Sequence, residues 1–164
     1  MTIDYSRYEG HTEGPSRLPG RRKVYVASSW RNIAQPGVVT AIRKMGHEVY
    51  DFRNPAEGDN GFHWSEIDEG WQQWDAERYV KALDHPVAES GFKSDFDAMH
   101  WADTFVLVQP CGRSAHLEMG WAVGAGKATI MLLGPDIEPE LMVKMCDHIC
   151  VGLCSVLELF EMLE

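Results

Sequence analysis

The most informative chemistry in the sequence lies in the segment CGRSAHLEMGWAVGAGK, where a glutamate follows a turn of small and polar residues. Gly112, Arg113 and Ser114 occupy the junction between an apolar run and a helical pattern. Backbone N–H groups and the positive end of a helix at such a junction can hold an anion or a sugar hydroxyl. We place Glu118 in about the first turn of this helix, as a candidate nucleophile or as a group that only complements the helix dipole.

Further ionisable side chains precede the same junction. Asp95, Asp97 and Asp103 lie in SDFDAMHWAD, and a carboxylate near the end of a helix there could reach toward the same crevice. Tyr25 lies inside the β-rich run VYVA, where a core aromatic is the ordinary interpretation. Its hydroxyl would need a partner if it is buried, and a carboxylate is a natural one.

Short apolar runs alternate with helical patterns along the chain, and this alternation predicts how these residues are positioned. The predicted strands are 23–28, 48–52, TFVLVQP, ATIMLL and HICVG, and the predicted helices are 35–45, 71–83, 86–101, 116–126, 138–144 and a last helix capped by Ser155. The pattern predicts an α/β fold, with a doubly wound, flavodoxin-like, five-stranded parallel sheet and helices on both faces. Residues 23–164 would form this one domain, and residues 1–22, which lack an apolar period, a flexible N-terminal tail.

Ligands of doubly wound sheets bind beyond the carboxyl ends of the strands. The turn after the first predicted strand, which holds Ser28, Ser29, Trp30 and Arg31, should therefore adjoin residues 111–115 across one crevice. The long segment 53–74 emerges at the same edge and contains aromatic side chains among glycine and acidic residues. We expect it to act as a lid, with Phe62 and Trp64 stacking on a planar ligand, or else to be an insertion anchored by its tryptophans.

Composition limits the classes of partner. The formal net charge of −10 argues against a nucleic-acid polymer, although a mononucleotide needs only a local cluster of donors. No apolar run approaches the about 20 residues of a membrane span, and the polar N-terminus lacks a signal-peptide pattern, so we expect a cytoplasmic protein. The spacing of Cys111, Cys146, Cys150 and Cys154 predicts neither a disulfide framework nor, with His148, a zinc site.

Three segments together resemble a known family. The run VYVASSWR, an aspartate (Asp95) eight positions before Asp103, and the run HLEMGWAVGAGK resemble the nucleoside 2-deoxyribosyltransferase superfamily, which includes 2′-deoxynucleoside 5′-monophosphate N-glycosidases. The resemblance extends from about residue 23 to residue 133. It implies that Glu118 is the nucleophile and that Tyr25 orients it.

The resemblance also assigns expected roles in substrate binding. Asp95, rather than Asp97, matches the aspartate of the family. Ser29 and Arg31 match the serine and arginine that hold the 5′-phosphate in the monophosphate-hydrolysing branch. That branch has a further serine in the turn before the glutamate, where this chain has Gly112, with Ser114 two residues later.

The implied activity is cleavage of the N-glycosidic bond of a nucleoside 5′-monophosphate or nucleoside through a glycosyl-Glu118 intermediate, without a metal or organic cofactor. The alternatives are base exchange by a nucleoside 2-deoxyribosyltransferase, an NAD-cleaving domain of the TIR type, which the spacing of Asp95 and Asp103 disfavours, and a non-catalytic nucleotide-binding sensor. The resemblance and the apolar bulk of six Trp and eight Met predict a homodimer or higher oligomer.

Overall fold

The computed structural model describes residues 20–135 and 138–161, so most of the predicted N-terminal tail lies outside the described residues. Five strands form one parallel sheet in the order β2-β1-β3-β4-β5. They are β1 (Lys23–Ala27), β2 (Glu48–Tyr50), β3 (Thr104–Val108), β4 (Ala128–Leu133) and β5 (His148–Val151). The order reverses between β1 and β3, which confirms the predicted doubly wound, flavodoxin-like sheet and places its switch point at those two strands.

Among the described residues, four α-helices and several short 3₁₀ turns connect the strands, and a fifth α-helix follows the last strand. The helices are α1 (Gln35–Lys44), α2 (Ala76–Leu83), α3 (Pro86–Trp101), α4 (Arg113–Gly124) and α5 (Leu153–Glu161), and the 3₁₀ turns are Trp64–Glu66, Trp71–Gln73 and Leu141–Met145. No helix among the described residues is both long and apolar enough to cross a membrane.

Alternation along β1 divides the core between the two faces of the sheet. Val24 and Val26 pack on the face that α1 and α5 cover, whereas Tyr25 and Ala27 pack on the face that α3 and α4 cover. Every residue of the central strand β3 is buried, as expected for a parallel strand covered on both faces. The alternation therefore directs Tyr25 toward the two helices that carry Asp95 and Glu118.

Several helix boundaries differ from the prediction. The helix predicted over 71–83 is interrupted, because Trp74 is extended and Asp75 caps a new helix by accepting a hydrogen bond from the Arg78 N–H at 2.8 Å. The short helix predicted over 138–144 is a 3₁₀ turn over Leu141–Met145.

The prediction that Ser155 caps the last helix is wrong. Helix α5 begins at Leu153, because Gly152, with φ of +88°, turns the chain directly from β5 into the helix. Ser155 lies inside α5, and its hydroxyl faces the Val151 carbonyl oxygen at 3.5 Å. Helix α4 likewise begins at Arg113 instead of residue 116, so Glu118 lies in its second turn instead of its first.

The long connection after β2 is folded against the body of the domain. Gly61, with φ of +74°, lies so close to Phe52 that a Cβ there would be 2.1 Å from the Phe52 carbonyl oxygen. Gly91 of α3 allows a similar approach, since a Cβ there would be 2.8 Å from Cβ of Phe62. These two close contacts fix the connection over β2 and α3.

Candidate active site

Tyr25 and Glu118 form the centre of the candidate site. The Tyr25 ring is stacked between Tyr50 and Phe105, with centroid distances of 5.3 and 5.0 Å, and only 1% of the residue is exposed. Its hydroxyl lies close enough to the Glu118 carboxylate of α4 that each side chain shifts the pKa of the other. The buried phenol therefore has a carboxyl group in its surroundings.

The environment of Glu118 favours its protonated form. Burial, followed by the negative charge of Asp95, raises the pKa of Glu118 from 4.5 to about 7, and the hydrogen bond from Tyr25 partly opposes this rise. Burial also raises the pKa of Tyr25, so the phenol stays protonated and can only donate to an ionised Glu118. A half-buried carboxylate with a pKa near neutrality is typical of functional sites.

Asp95 lies on α3 beside a tyrosine that the sequence did not single out. The Tyr50 hydroxyl donates to Asp95 Oδ1 at 2.8 Å and also lies 3.1 Å from the Ser94 hydroxyl. Burial raises the pKa of Asp95, the hydrogen bond from Tyr50 lowers it, and the negative charge of Asp59 raises it again. Tyr50 could have been recognised from its place in the predicted second strand, because β1 and β2 pair in a register that sets Tyr50 beside Tyr25.

A cavity of about 260 Å³ extends from Asp95 toward the long connection. It is lined by β2 and the following residues (Tyr50, Phe52, Pro55), by the connection (Asp59, Gly61, Phe62, Glu66) and by α3 (Val87, Ser90, Gly91, Ser94, Asp95). Its volume is just below the about 300–1,000 Å³ of pockets that hold drug-sized ligands, so it would suit a smaller group.

Phe62 and Trp64 have different surroundings. Phe62 lines the cavity and packs against Gly91. Trp64 is not part of the lining, and it makes edge contacts with the rings of Phe62, Trp74 and Tyr79 at 4.8–5.8 Å. The structure therefore places Phe62 where a ligand could touch it and Trp64 behind it, in a cluster that joins the connection to α2.

The turn after β1 lies against the end of β3 and the residues that follow it. The Ser28 hydroxyl donates to the Val108 carbonyl at 2.8 Å, and the Asn32 amide donates to the Val108 and Pro110 carbonyls, each at 3.1 Å. Ser29 Oγ accepts the Arg31 N–H at 3.2 Å. The Ser28 hydroxyl is thus engaged with the backbone, whereas the Arg31 side chain is exposed.

Arg53 organises this turn and was not anticipated. One of its terminal nitrogens donates to the carbonyls of Ser29, Trp30 and Asn32 at 2.8–3.0 Å. Its guanidinium also stacks over the Trp30 ring, 5.5 Å from the centroid. Trp30 in turn packs against Phe52 and His63, so the turn and the long connection support each other. No periodic pattern could have indicated an arginine that bonds to three carbonyls.

The turn before α4 leaves polar groups available to a ligand. Gly112 is the N-cap residue and supplies no side-chain cap, so the first N–H groups of α4 lack that partner. Arg113 and Ser114 follow and are exposed. Cys111 lies close enough to Glu118 that burial and the nearby carboxylate raise the pKa of its thiol to about 11, which keeps it protonated at neutral pH.

The described residues contain no group of three His, Cys, Asp or Glu side chains arranged to hold a metal ion. The four cysteines are free thiols.

Comparison with known proteins identifies structural neighbours but no sequence relatives. No protein-family model matches the sequence, and the search of curated proteins gave no match. A 2-deoxyribosyltransferase from the psychrotolerant bacterium Bacillus psychrosaccharolyticus is 18% identical, with a TM-score of 0.54 over 81% of this chain and 88% of that chain. The CMP N-glycosidase BcmB from Clostridium botulinum is 17% identical, with a TM-score of 0.46 over 85% of this chain and 97% of that chain. At this level of identity, the chain shares the fold of the 2-deoxyribosyltransferase.

Proposed function

We propose that this protein belongs to the nucleoside 2-deoxyribosyltransferase superfamily and cleaves the N-glycosidic bond of a nucleoside 5′-monophosphate or nucleoside. The observation that carries the proposal is the arrangement of Tyr25, Glu118 and Asp95 at the switch point of the sheet. Burial and the charge of Asp95 raise the pKa of Glu118 to about 7, and the Tyr25 hydroxyl lies close enough to oppose this rise. Residues 23–164 would be the catalytic domain.

Departure of the base from the anomeric carbon leaves positive charge on the sugar. In the proposed first step, a Glu118 oxygen forms a bond to C1′ while the C1′–N bond breaks and its electron pair goes to the base. Asp95 supplies a proton to the base, and Tyr25 donates to Glu118 and holds its orientation. Water then attacks C1′, the glycosyl ester breaks, and the proton of water returns to Asp95.

The pKa directions agree with these roles. Glu118 must be ionised to attack, and a pKa of about 7 leaves a large ionised fraction at neutral pH. Asp95 must carry a proton, and burial raises its pKa in the required direction. Because Asp95 raises the pKa of Glu118, the pair favours a state in which one of the two carboxyl groups is protonated. This chemistry uses no metal and no organic cofactor.

The turn after β1 and the start of α4 would bind the 5′-phosphate. Arg31 is an exposed guanidinium, Ser29 lies two residues before it, and Arg113 and Ser114 lie at the helix end whose N–H groups have no side-chain cap. Ser28, Trp30 and Gly112 would shape this part of the pocket. Charge-assisted hydrogen bonds from arginine suit a phosphate dianion.

Base exchange is the alternative activity. It uses the same glycosyl ester, with a second base instead of water as the acceptor.

Two large apolar side chains are exposed on the helices that carry Asp95 and Glu118, Phe92 on α3 and Leu117 on α4. The homodimer or higher oligomer that the sequence suggests stays a prediction.

A panel of ribo- and deoxyribonucleosides and their 5′-monophosphates tests the proposal. Each is incubated with the protein, with and without a different free base, and the products are separated by chromatography. Free base and free sugar indicate hydrolysis, and a new nucleoside indicates exchange. The Glu118→Gln variant is the control for contaminating activity. A protein that binds nucleotides and releases no base from any member of the panel would be a sensor, and the proposal would be wrong.

A further inference from the structure

The cavity beside Asp95 is lined by hydrogen-bond acceptors and by no cation. Asp59, Glu66 and Asp95 contribute carboxyl groups to its walls, and no Lys, Arg or His side chain is among the lining residues. A phosphate would be repelled here, because there is no charge to offset its own. The cavity thus differs from the turn that carries Arg31, and the two parts would hold opposite ends of a nucleotide.

The other walls of the cavity are aromatic or small. The side chains of Phe52, Phe62 and Tyr50 line it, and Gly91 lets Phe62 approach α3 closely. Rings at such positions can stack on a planar heterocycle, which contributes about 1–3 kcal/mol per base in proteins that bind single strands. The aromatic lining therefore suits a nucleobase. The carboxyl groups would favour bases that present hydrogen-bond donors to them.

Asp59 is held in one orientation by its own turn. Its Oδ1 accepts the Gly61 N–H at 2.9 Å, and no hydrogen bond joins its Oδ2 to another described residue. Gly61 is in turn fixed against Phe52 with a positive φ. The charge of Asp59 acts on both Asp95 and Tyr50, which places it near the proposed proton donor. Asp59 is thus an exposed residue of the cavity wall that keeps one carboxylate oxygen without a hydrogen bond to the described residues.

We propose that Asp59 selects nucleobases whose exposed edge carries an amino group, such as cytosine and adenine, over the matching oxo bases, uracil and hypoxanthine. The proposal rests on the proposed function in taking this cavity as the base-binding part of the site. An ionised carboxylate only accepts hydrogen bonds, so it pairs with an amino group and opposes a carbonyl oxygen at the same position.

Binding of free bases to the intact protein, measured by calorimetry, tests this selection without requiring turnover. We expect the wild-type protein to bind cytosine about tenfold or more tightly than uracil, and adenine more tightly than hypoxanthine. In Asp59→Asn the side-chain oxygen can still accept the Gly61 N–H, while the amide nitrogen takes the place of Oδ2 and donates. The preference should therefore fall to about one or reverse.

Two further variants complete the test. Asp59→Ala removes the acceptor and should abolish the preference without reversing it. Glu57→Gln removes an equal charge from the same connection at an exposed position outside the cavity lining, and it should leave the preference unchanged. If the wild-type protein binds none of the four bases, or if Asp59→Asn keeps the wild-type preference, the selection proposal is overturned. The release of base from the nucleotide panel is measured separately, so a switch in preference without turnover would support the selection and contradict only the catalytic proposal.

Discussion

The two faces of the sheet have cores of different chemistry. Under α1 and α5 an apolar cluster forms most of the core, and the buried Gln35 at the start of α1 donates to Asp51 at 2.9 Å. The nearby His47, packed on Phe160, has its pKa lowered by burial and so stays neutral. Under α3 and α4 the core contains Tyr25, and it adjoins Asp95 and Glu118, whose pKa values are raised. Burial therefore mainly stabilises the domain on one face, and on the other face it also raises the pKa values of two carboxyl groups.

The largest effect is expected from Glu118→Gln. A neutral amide cannot form the glycosyl ester, and loss of a covalent nucleophile costs turnover by about three orders of magnitude or more. Ligand binding and the fold should persist, because the amide oxygen still accepts from Tyr25. Rates near those of the wild-type protein would exclude Glu118 as the nucleophile.

The same substitution should stabilise the fold at alkaline pH. The folded pKa of Glu118, about 7, lies above its ordinary 4.5, so the ionised form destabilises the folded state above pH 7 and this cost disappears below about pH 4.5. Allowing for the partial exposure of Glu118, the gain is about 1–2 kcal/mol at pH 8. Denaturant unfolding at pH 8 and pH 4 measures it, and an equal gain at both pH values would contradict the assignment.

On the opposite face, Ile42→Ala should have the reverse effect. Ile42 is fully buried in the apolar cluster, and its truncation should reduce the free energy of unfolding by about 2–5 kcal/mol. Its side chain is far from the reactive carboxyl groups in the fold, so kcat/KM per folded molecule should stay unchanged. A large loss of kcat/KM with intact fold would show that the two faces are coupled.

Arg31→Ala tests whether phosphate binding can be changed without changing the chemistry of Glu118 and Asp95. A guanidinium–phosphate contact is worth about 1.5–3 kcal/mol, so KM for a nucleoside monophosphate should rise by about 10- to 100-fold. KM for the matching nucleoside should change little. Lys44→Ala, at the exposed end of α1, is the matched control. Equal effects of Arg31→Ala on both substrates would mean that Arg31 does not bind phosphate.

In the connection after β2, Phe62 and Trp64 are expected to have different roles, one in binding a ligand and one in stability. Phe62→Ala removes a ring that lines the cavity and should weaken binding of a nucleotide by about 1–3 kcal/mol. Trp64→Ala removes a ring from the cluster behind it and should mainly lower stability, with a smaller effect on binding. Calorimetric titration and thermal unfolding of both variants measure this difference. Unchanged affinity in both variants would mean that the connection does not cover the base.

The smallest expected effects are changes in the pH profile. The reactive state of the pair keeps one proton, on Asp95, so kcat/KM should fall as pH rises through about 7, where the pair loses this proton. Tyr25→Phe removes a hydrogen bond that lowers the pKa of Glu118, so this falling limb should move to higher pH. Asp95→Asn has no proton to keep and lacks the charge that raises the pKa of Glu118, so its residual kcat/KM should instead rise as Glu118 ionises below about pH 7. A falling limb near pH 7 in Asp95→Asn would contradict the proposed network.

The strands and the long helices could be predicted because their signals are local. The apolar run of β3 and the helical pattern of α3 specify their own structure, and Pro86 marks the first turn of α3. The start of α5 was misplaced because Ser155 is a favourable cap residue, whereas Gly152, which makes the turn, is a signal that was overlooked. Local propensity identified these elements better than it identified their ends.

The candidate site was only partly predictable, because some of its contacts join distant parts of the chain. Tyr25, Asp95 and Glu118 belong to segments with a recognisable pattern. Tyr50 and Arg53 do not, since their partners lie between 21 and 45 residues away in sequence. The role of Tyr50 depends on the register between strands, and the role of Arg53 depends on backbone carbonyl groups. Neither feature is visible in a pattern of side-chain types.

Trapping the glycosyl ester tests the central claim most directly. A nucleotide with fluorine at C2′ disfavours charge on the sugar and slows the breakdown of such an ester. We predict that the wild-type protein gains the mass of the sugar phosphate, that peptide mapping locates it on Glu118, and that Glu118→Gln gains none. Release of base by a protein that never carries the sugar, or an adduct on Asp95 instead, would contradict the account.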